Sequence, residues 1–290
     1  MMKRQPYRAG SFYEAGEDAC RRSARKLLDD AEIPNDLPEA LFGGLVPHAG
    51  WVFSGLTASM TFKALASRNR LGRVVIFGAD HWGTAGDGAV FDKGAWLTPL
   101  GEVAIDEELS DALLGGCSLL RADSSAHNRE HSIEVQLPLM QVACGDVRIV
   151  PINISPSPEA VRVGREVGEV LKGNFPDASV IASTDLTHYG PQYGFTPGGT
   201  GPAGLKWAEE NDARLLKLIE TMQAEDVISE TSTHRSACGG GAIAATIAAC
   251  SVMGATSGLT LKYTTSAEVM RQVYGNRCDE AVGYVSVVFA

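Results

Sequence analysis

No apolar run in this 290-residue sequence is long enough to cross a bilayer. The longest, from Gly241 to Met253, is rich in small residues and suits a buried helix, since a membrane span needs about 20 apolar residues. A basic surplus is also missing. The 25 Lys and Arg are outnumbered by 35 Asp and Glu, and the formal net charge of −10 repels phosphate backbones and anionic lipid. The densest basic stretch, Arg21-Arg22-Ser23-Ala24-Arg25-Lys26, lies beside Glu17, Asp18, Asp29 and Asp30 and reads as a solvated helix face. Nucleic acid and membrane surfaces are therefore not expected partners; a small-molecule substrate or a peptide ligand is. The six cysteines, at 20, 117, 144, 238, 250 and 278, have no close pairing and do not make the dense disulfide framework of a small secreted domain. The first residues, Met1-Met2-Lys3-Arg4-Gln5-Pro6, open no apolar secretory region. Reduced thiols and a cytoplasmic location are expected.

What is present suits one large α/β domain spanning residues 1–290, with 44% hydrophobic residues and 32 glycines. Short β-branched runs at 41–46, 73–78, 147–152, 179–182, 259–263 and 281–289 are apolar nearly throughout, as strands covered on both faces should be. Helical periodicity fits 18–30, 56–66, 106–114, 130–143, 158–171, 205–222 and 239–253. The alternation predicts a single-domain sandwich, a mostly parallel mixed sheet with helices on both faces. The Gly- and Pro-dense stretch from Gly190 to Gly204 reads as one long loop.

In such sheets, ligands collect beyond the carboxyl ends of the strands. His48 follows Gly44-Leu45-Val46 in Pro47-His48-Ala49-Gly50. His81 follows Val74-Val75-Ile76-Phe77 in Gly78-Ala79-Asp80-His81-Trp82-Gly83. Asp185 and His188 follow Val180-Ile181-Ala182-Ser183. Cys238 precedes three glycines and Ala242-Ile243-Ala244-Ala245, at the amino end of a buried helix where free amides and the dipole favour thiolate. Cys117, Cys144 and Cys250, in apolar helical stretches, are expected to be inert. Two imidazoles and a thiolate, His48, His81 and Cys238, have the look of a mononuclear transition-metal site; iron(II), copper and zinc all accept this set, whereas magnesium and calcium prefer oxygen.

A competing pattern, His127-Asn128-Arg129-Glu130-His131, satisfies the H-x-x-E-H arrangement of inverted zinc peptidases, with Glu209 or Glu210 as a third ligand. It needs both histidines on one helix face, yet Asp123-Ser124-Ser125 just before His127 reads as a helix N-cap. The simpler reading is that Glu130, His131 and Glu134 support the helix start and its surroundings.

Pro47-His48-Ala49-Gly50, the Gly78-to-Gly83 turn, Glu130-His131-Ser132-Ile133-Glu134 through Leu137-Pro138, Ser183 to Gly190 and Cys238-Gly239, in this order, resemble the Memo family. So do Arg8-Ala9-Gly10-Ser11-Phe12-Tyr13 and Ala281-Val282-Gly283-Tyr284, and the resemblance spans essentially the whole chain. Memo proteins are similar to class III extradiol dioxygenases, the LigB-like fold with a non-haem iron in a crevice. The resemblance implies that His48, His81 and Cys238 are metal ligands, with iron(II) the first expectation, and that His188 is an acid/base group beside Asp185, which would orient its ring. It departs from the dioxygenases in offering a thiolate in place of their carboxylate, and Ala79-Asp80 replaces an expected Pro-Ser or Pro-Asn pair.

On this reading the protein carries out redox or oxygen-dependent chemistry on a small, planar substrate that Trp51, Trp82 and Tyr189 would stack upon, with the 190–204 loop closing over it. His131 and Glu134 would lie behind the ligands. Two other classes fit the same residues: a metal-free cysteine hydrolase with Cys238 as nucleophile and His81 or His188 as base, and a non-catalytic scaffold that retains a binding pocket. Neither the substrate nor the oligomeric state is legible in the sequence.

Overall fold

Val74 and Ile76 pack into one hydrophobic layer and Val75 and Phe77 into another, so the strand that carries them is covered on both faces. The computed structural model describes residues 2–68, 70–275 and 278–290. The first half contains β1 (Lys3–Arg4), α1 (Glu17–Asp30), β2 (Gly43–Val46), α2 (Trp51–Ala66), β3 (Arg73–Ala79), β4 (Ala89–Val90), β5 (Ala95–Thr98), β6 (Gly101–Ile105), α3 (Glu107–Gly116), β7 (Arg121–Ala122) and α4 (Leu137–Cys144). The second contains β8 (Arg148–Ile154), α5 (Glu159–Asn174), β9 (Ser179–Ser183), β10 (His188–Tyr189), α6 (Gly201–Glu220), α7 (Ala224–His234), α8 (Gly240–Met253), β11 (Gly258–Thr265), α9 (Ser266–Tyr274) and β12 (Ala281–Phe289).

The centre of the sheet runs β8, β3, β9, β2, all parallel, and β12 closes it antiparallel to β2. The register places Ser183 opposite both Val46 and Gly78, so three adjacent strands end at one level. One face of the sheet, with Val75, Phe77, Val150 and Val180, is covered by α5, α6, α7 and α8; the other, with Val74, Ile76, Ile149 and Ile181, by α1, α2 and α4. This is the expected α/β architecture, a mostly parallel mixed sheet between helical layers. The Gly241-to-Met253 run is indeed a buried helix, α8, and among the described residues no helix is long and apolar enough to cross a membrane. Close packing of α8 on α5 depends on Gly164, where a Cβ would meet the Ala245 carbonyl oxygen at 2.2 Å.

Three segments differ from expectation. Residues 130–143 are not one helix: the Glu130 carboxylate accepts the backbone N–H groups of His131 and Ser132, holding them outside a helix until a 3₁₀ turn at Glu134–Gln136 leads into α4. The 190–204 stretch is shorter as a loop than predicted, because α6 begins at Gly201 and the Tyr189 hydroxyl ties the loop down by donating to Gly199 O and accepting from Gly198 N–H. Cys144 is exposed at the end of α4, whereas Cys117 and Cys250 are buried as expected. The helices α7 and α9 and the two-residue strands were not anticipated.

Candidate metal centre

Because β2, β3 and β9 end side by side, the turns after them bring His48, His81 and Asp185 together, and the segment before α8 adds Cys238. His131 enters from the non-helical stretch ahead of α4. The ring centroids of His48, His81 and His131 are 4.9 to 5.3 Å apart, with His81 and His131 stacked, and one ligand-capable nitrogen of each lies within 4.8 Å of those of the other two. Cys238 Sγ lies 3.3 Å from His48 Nε2. The sulfur in addition accepts the Asp185 backbone N–H at 3.3 Å.

The neighbours of His48 and His81 fix which ring nitrogen of each faces the centre. Ser183 Oγ donates to Ser132 O at 2.7 Å and accepts from Gln136 Nε2, so its contact with His48 Nδ1 at 3.2 Å makes Nδ1 the protonated nitrogen. In the neutral ring the lone pair is then on Nε2, facing the sulfur. His81 Nδ1 donates to the Glu130 carboxylate at 2.9 Å, which leaves Nε2 as the nitrogen not engaged by Glu130. Glu130 is 1% exposed and also accepts the N–H of His81 at 3.0 Å and of His131 at 2.7 Å. A carboxylate behind a ligand imidazole is the usual device for setting ring orientation in metal sites.

Charge follows the same geometry. Burial opposes ionisation of Cys238, but the charge on His48 and hydrogen bonds from His48 and His81 prevail and pull the thiol down to about 6. Burial disfavours a charged His81, yet its bonds to Cys238 and Glu130 raise it to about 10. Burial raises the Glu130 carboxyl, and the hydrogen bond and charge of His81 more than reverse that, holding it well below the usual carboxylate range. His131 is pushed down to about 3 by burial and by the charge on His48, with Arg8 adding to the effect. The centre therefore sets a thiolate beside a proton-holding His81 and a proton-poor His131, and a metal ion bound there would take the place of the His81 Nε2 proton. Such nitrogen and sulfur donors fit a transition ion, and the two nearby carboxylates are engaged elsewhere, Glu130 with His81 and Asp185 with the His48 backbone N–H at 2.7 Å.

The centre opens into a cleft of about 1050 Å³. His188 lines it with the three imidazoles and Asp185; its Nδ1 donates to Leu186 O at 3.0 Å, leaving Nε2 free, and its ring packs edge-on against Tyr193. Asp185 does not hold the His188 ring, since Leu186 takes that Nδ1. Burial raises the Asp185 carboxyl, with the charge on His188 acting the other way.

The expected stacking residues separate. Trp51 lines the cleft but is buried, donating Nε1–H to Val135 O and packing on Tyr13. Trp82 lies outside the cleft lining, 46% exposed, with its indole N–H on Arg129 O and the Arg129 guanidinium over its ring. Tyr189 is fully buried against Trp207, so it packs rather than stacks on a ligand. The aromatic lining comes instead from Phe12, Phe53, Tyr193 and Tyr284, residues brought in from four distant segments. His131 stands within the imidazole cluster rather than behind it. Glu134 does lie behind: it accepts from Arg4 and Tyr13 at 2.8 Å each and from the N–H groups of Tyr7 and Arg8.

The peptidase-like pattern is not assembled. His127 is buried between Phe91 and Trp96, bonded through Nε2 to Ala89 O, and pushed down to about 4 by burial. Residues 128–133 form no helix that would pair it with His131, and Glu209 and Glu210 sit exposed on α6.

Comparison with known proteins identifies the family of the chain. The family model described as "Memo: Memo-like protein" matches residues 4–288. A MEMO1 family protein of Pyrococcus abyssi is 38% identical over 295 residues, and one of Thermococcus onnurineus 37% identical over 296, each alignment covering 99% of both chains. Among solved structures, an uncharacterized protein from Escherichia coli K12 superposes with a TM-score of 0.54 at 13% identity, over 87% of this chain and 100% of that one, a likeness of fold alone. The chain belongs to the Memo family.

Proposed function

We propose that this Memo-family protein binds one transition metal ion, iron(II) in the first instance, through His48, His81 and Cys238, and uses it in redox or oxygen-dependent chemistry on a small substrate held in the cleft. The observation that carries this reading is Cys238 Sγ at 3.3 Å from His48 Nε2, beside three imidazoles that each bring one ligand-capable nitrogen within 4.8 Å of those of the other two. His131 is the neighbouring imidazole available as a further ligand. A bound redox metal would supply the electron exchange with oxygen and substrate that these side chains lack. The protein's own part is proton handling and positioning. His188, with Nε2 free at the cleft wall, is placed to take a proton from a bound substrate or return one. Glu130 keeps His81 Nε2 aimed at the centre, and the buried Trp51 and Tyr284 exclude water from the cleft floor.

The test is elemental analysis of protein purified without chelator under anaerobic conditions, for wild type and Cys238→Ala, followed by oxygen uptake with candidate phenols. Stoichiometric iron in the wild type and its loss in the variant are expected. Metal-free wild type would remove the proposal.

A second reading has its own observation, the Cys238 thiol pulled down to about 6 beside His48, a pairing that also suits a nucleophile. Stoichiometric alkylation of Cys238 by iodoacetamide in a metal-free wild type, with loss of thioester or amide hydrolysis, would favour it. Protection of Cys238 from iodoacetamide by bound metal would count against it.

A further inference from the structure

We infer that Glu280 and Tyr193 form a cation-binding subsite at the mouth of the cleft, so that the substrate of the proposed centre carries a positively charged nitrogen, a primary amine in the simplest case; the inference rests on that small-molecule reading of the cleft. The wall that holds them is one face of a strand. Side chains two apart on a strand point the same way, and Tyr284 and Val282 of β12, with Glu280 just ahead of it, all line the cleft. Tyr284 is buried at the floor, Val282 pairs in register with His188, and Glu280 is half-buried farther out. At about 3.3 Å per residue, the Glu280 backbone stands roughly 7 Å beyond the level of His188, which sets the approximate spacing between the substrate's charge and its reacting end.

Glu280 is held in place with its charge unanswered. Its Oε1 accepts the Gln192 N–H at 3.0 Å, and its side chain lies against Gly190, where a Cβ would meet Glu280 Cγ at 2.5 Å. Elsewhere carboxylates are met by arginines, Glu134 by Arg4, Asp106 by Arg73 and Glu225 by Arg165, whereas Glu280 has no ion pair among the described residues. The Gln192 bond brings Tyr193 alongside: burial raises the Tyr193 hydroxyl, and the negative charges of Glu280 and Asp185 add to the effect. The Tyr193 ring stands edge-on to His188 at 5.2 Å, so this corner of the cleft adjoins the proton-handling imidazole. A carboxylate beside an aromatic ring is a pairing that attracts an ammonium group. The rest of the cleft favours the same sign. Its lining holds Glu14 and Asp185 besides Glu280 and no Lys or Arg among the described residues, with Phe53 and Tyr284 adding aromatic surface. Phe12 offers less, because the Arg8 guanidinium already lies over its ring at 4.7 Å. Positive charge at the centre is met there by Cys238 and Glu130.

Three probes of similar shape and different charge test the inference: 2-phenylethylamine, 2-phenylethanol and phenylacetate, titrated calorimetrically into the purified full-length protein before and after chelation. The amine is expected to bind about tenfold or more above the alcohol, and phenylacetate most weakly, with amine affinity falling as salt rises. Glu280→Gln, which keeps an acceptor for the Gln192 N–H, should weaken amine binding about tenfold and leave the alcohol unchanged. Glu280→Asp should recover part of the loss, both Glu280 variants should melt like wild type, and Tyr193→Leu should weaken the amine a few-fold. Equal binding of amine and alcohol, no binding of the amine, or unchanged amine affinity in Glu280→Gln overturns the inference. Amine binding that is lost on chelation and indifferent to Glu280 would put the nitrogen on the metal and overturn it as well. Glu280-dependent amine binding in a protein that never retains metal would remove the proposed metal chemistry and leave this subsite standing. Retained metal without Glu280 dependence would do the reverse.

Discussion

Glu130 and His81 are joined twice: the carboxylate accepts both the imidazole Nδ1–H, at 2.9 Å, and the backbone N–H of the same residue, at 3.0 Å. This chelate fixes the ring and the turn that carries it as one unit. The same carboxylate holds the backbone of His131 at 2.7 Å, so one buried acid sets the placement of two of the three clustered imidazoles.

Glu130→Gln should therefore weaken metal binding without abolishing the fold. An amide keeps one acceptor but loses the charge that holds His81 Nδ1–H, and loss of such supporting groups typically costs about 10–100-fold in metal affinity. Competition titration with a fluorescent chelator, wild type against variant, measures it. Unchanged affinity would mean that His81 is oriented by something other than this carboxylate.

Asp212 gives a pH dependence that can be assigned. It is buried, accepts from the Thr187 N–H at 2.9 Å and the Tyr263 hydroxyl at 2.8 Å, and burial raises it from 3.8 to about 7 against those hydrogen bonds. An acid whose folded pKa lies above its unfolded value stabilises fully below the unfolded value, and that contribution is lost as pH rises through the folded one. Its share of stability should thus fall between about pH 4 and pH 7, by on the order of a few kcal/mol. In Asp212→Asn this component should vanish, which urea unfolding at a series of pH values in that window would reveal as a flatter profile than wild type.

Much of the site was legible because strand ends are legible. The apolar runs before His48, His81 and Asp185 announce parallel strands, and a parallel sheet delivers the residues after its strands to one edge. Cys238 was visible through the three glycines behind it. His131 was misplaced for a physical reason: its surroundings have helical periodicity, and periodicity does not register that a carboxylate one residue earlier captures the backbone N–H groups a helix would use. Trp82 and Tyr189 show the complementary limit. Adjacency to a site histidine in sequence says nothing about direction, and both side chains turn away, Trp82 to Arg129 and Tyr189 to Trp207. The aromatic residues that do line the cleft, Phe12, Phe53, Tyr193 and Tyr284, have no local signal because they are assembled only by the tertiary fold. The short strands and α9 were missed because segments of two to nine residues carry little periodic pattern.

Gly164 should be intolerant of any side chain. A Cβ at this position would approach Ala245 O at 2.2 Å, and the obstacle is backbone of a buried helix that cannot yield by rotating. Gly164→Ala is expected to destabilise by roughly 1–3 kcal/mol, the usual range for overpacking, and Gly164→Val by more. Because α8 begins just after Cys238, displacement of that helix should also loosen the thiolate. Thermal melting, with and without added metal, separates the two effects: metal should rescue less of the melting temperature in the variants than in wild type.

Arg4 and Glu134 form a fully buried pair at 2.8 Å, and each does more than neutralise the other. Arg4 also donates to the carbonyls of His127 and Glu130, while Glu134 gathers Tyr7 N–H, Arg8 N–H and the Tyr13 hydroxyl. The pair thereby fastens residues 4–13 across the segment that presents His131, and that fastened strand supplies Phe12 to the cleft. Removing only the cation strands a buried carboxylate, which typically costs about 3–5 kcal/mol. Arg4→Met should lose stability of that order in denaturant titration, and removing both charges in Arg4→Met/Glu134→Leu should recover part of it, because the stranded charge is gone. The recovered double variant should still retain metal less tightly than wild type, since the segment that presents His131 has lost the anchor that Arg4 and Glu134 give it. Full recovery of stability and metal affinity together would show that the pair has no part in shaping the centre.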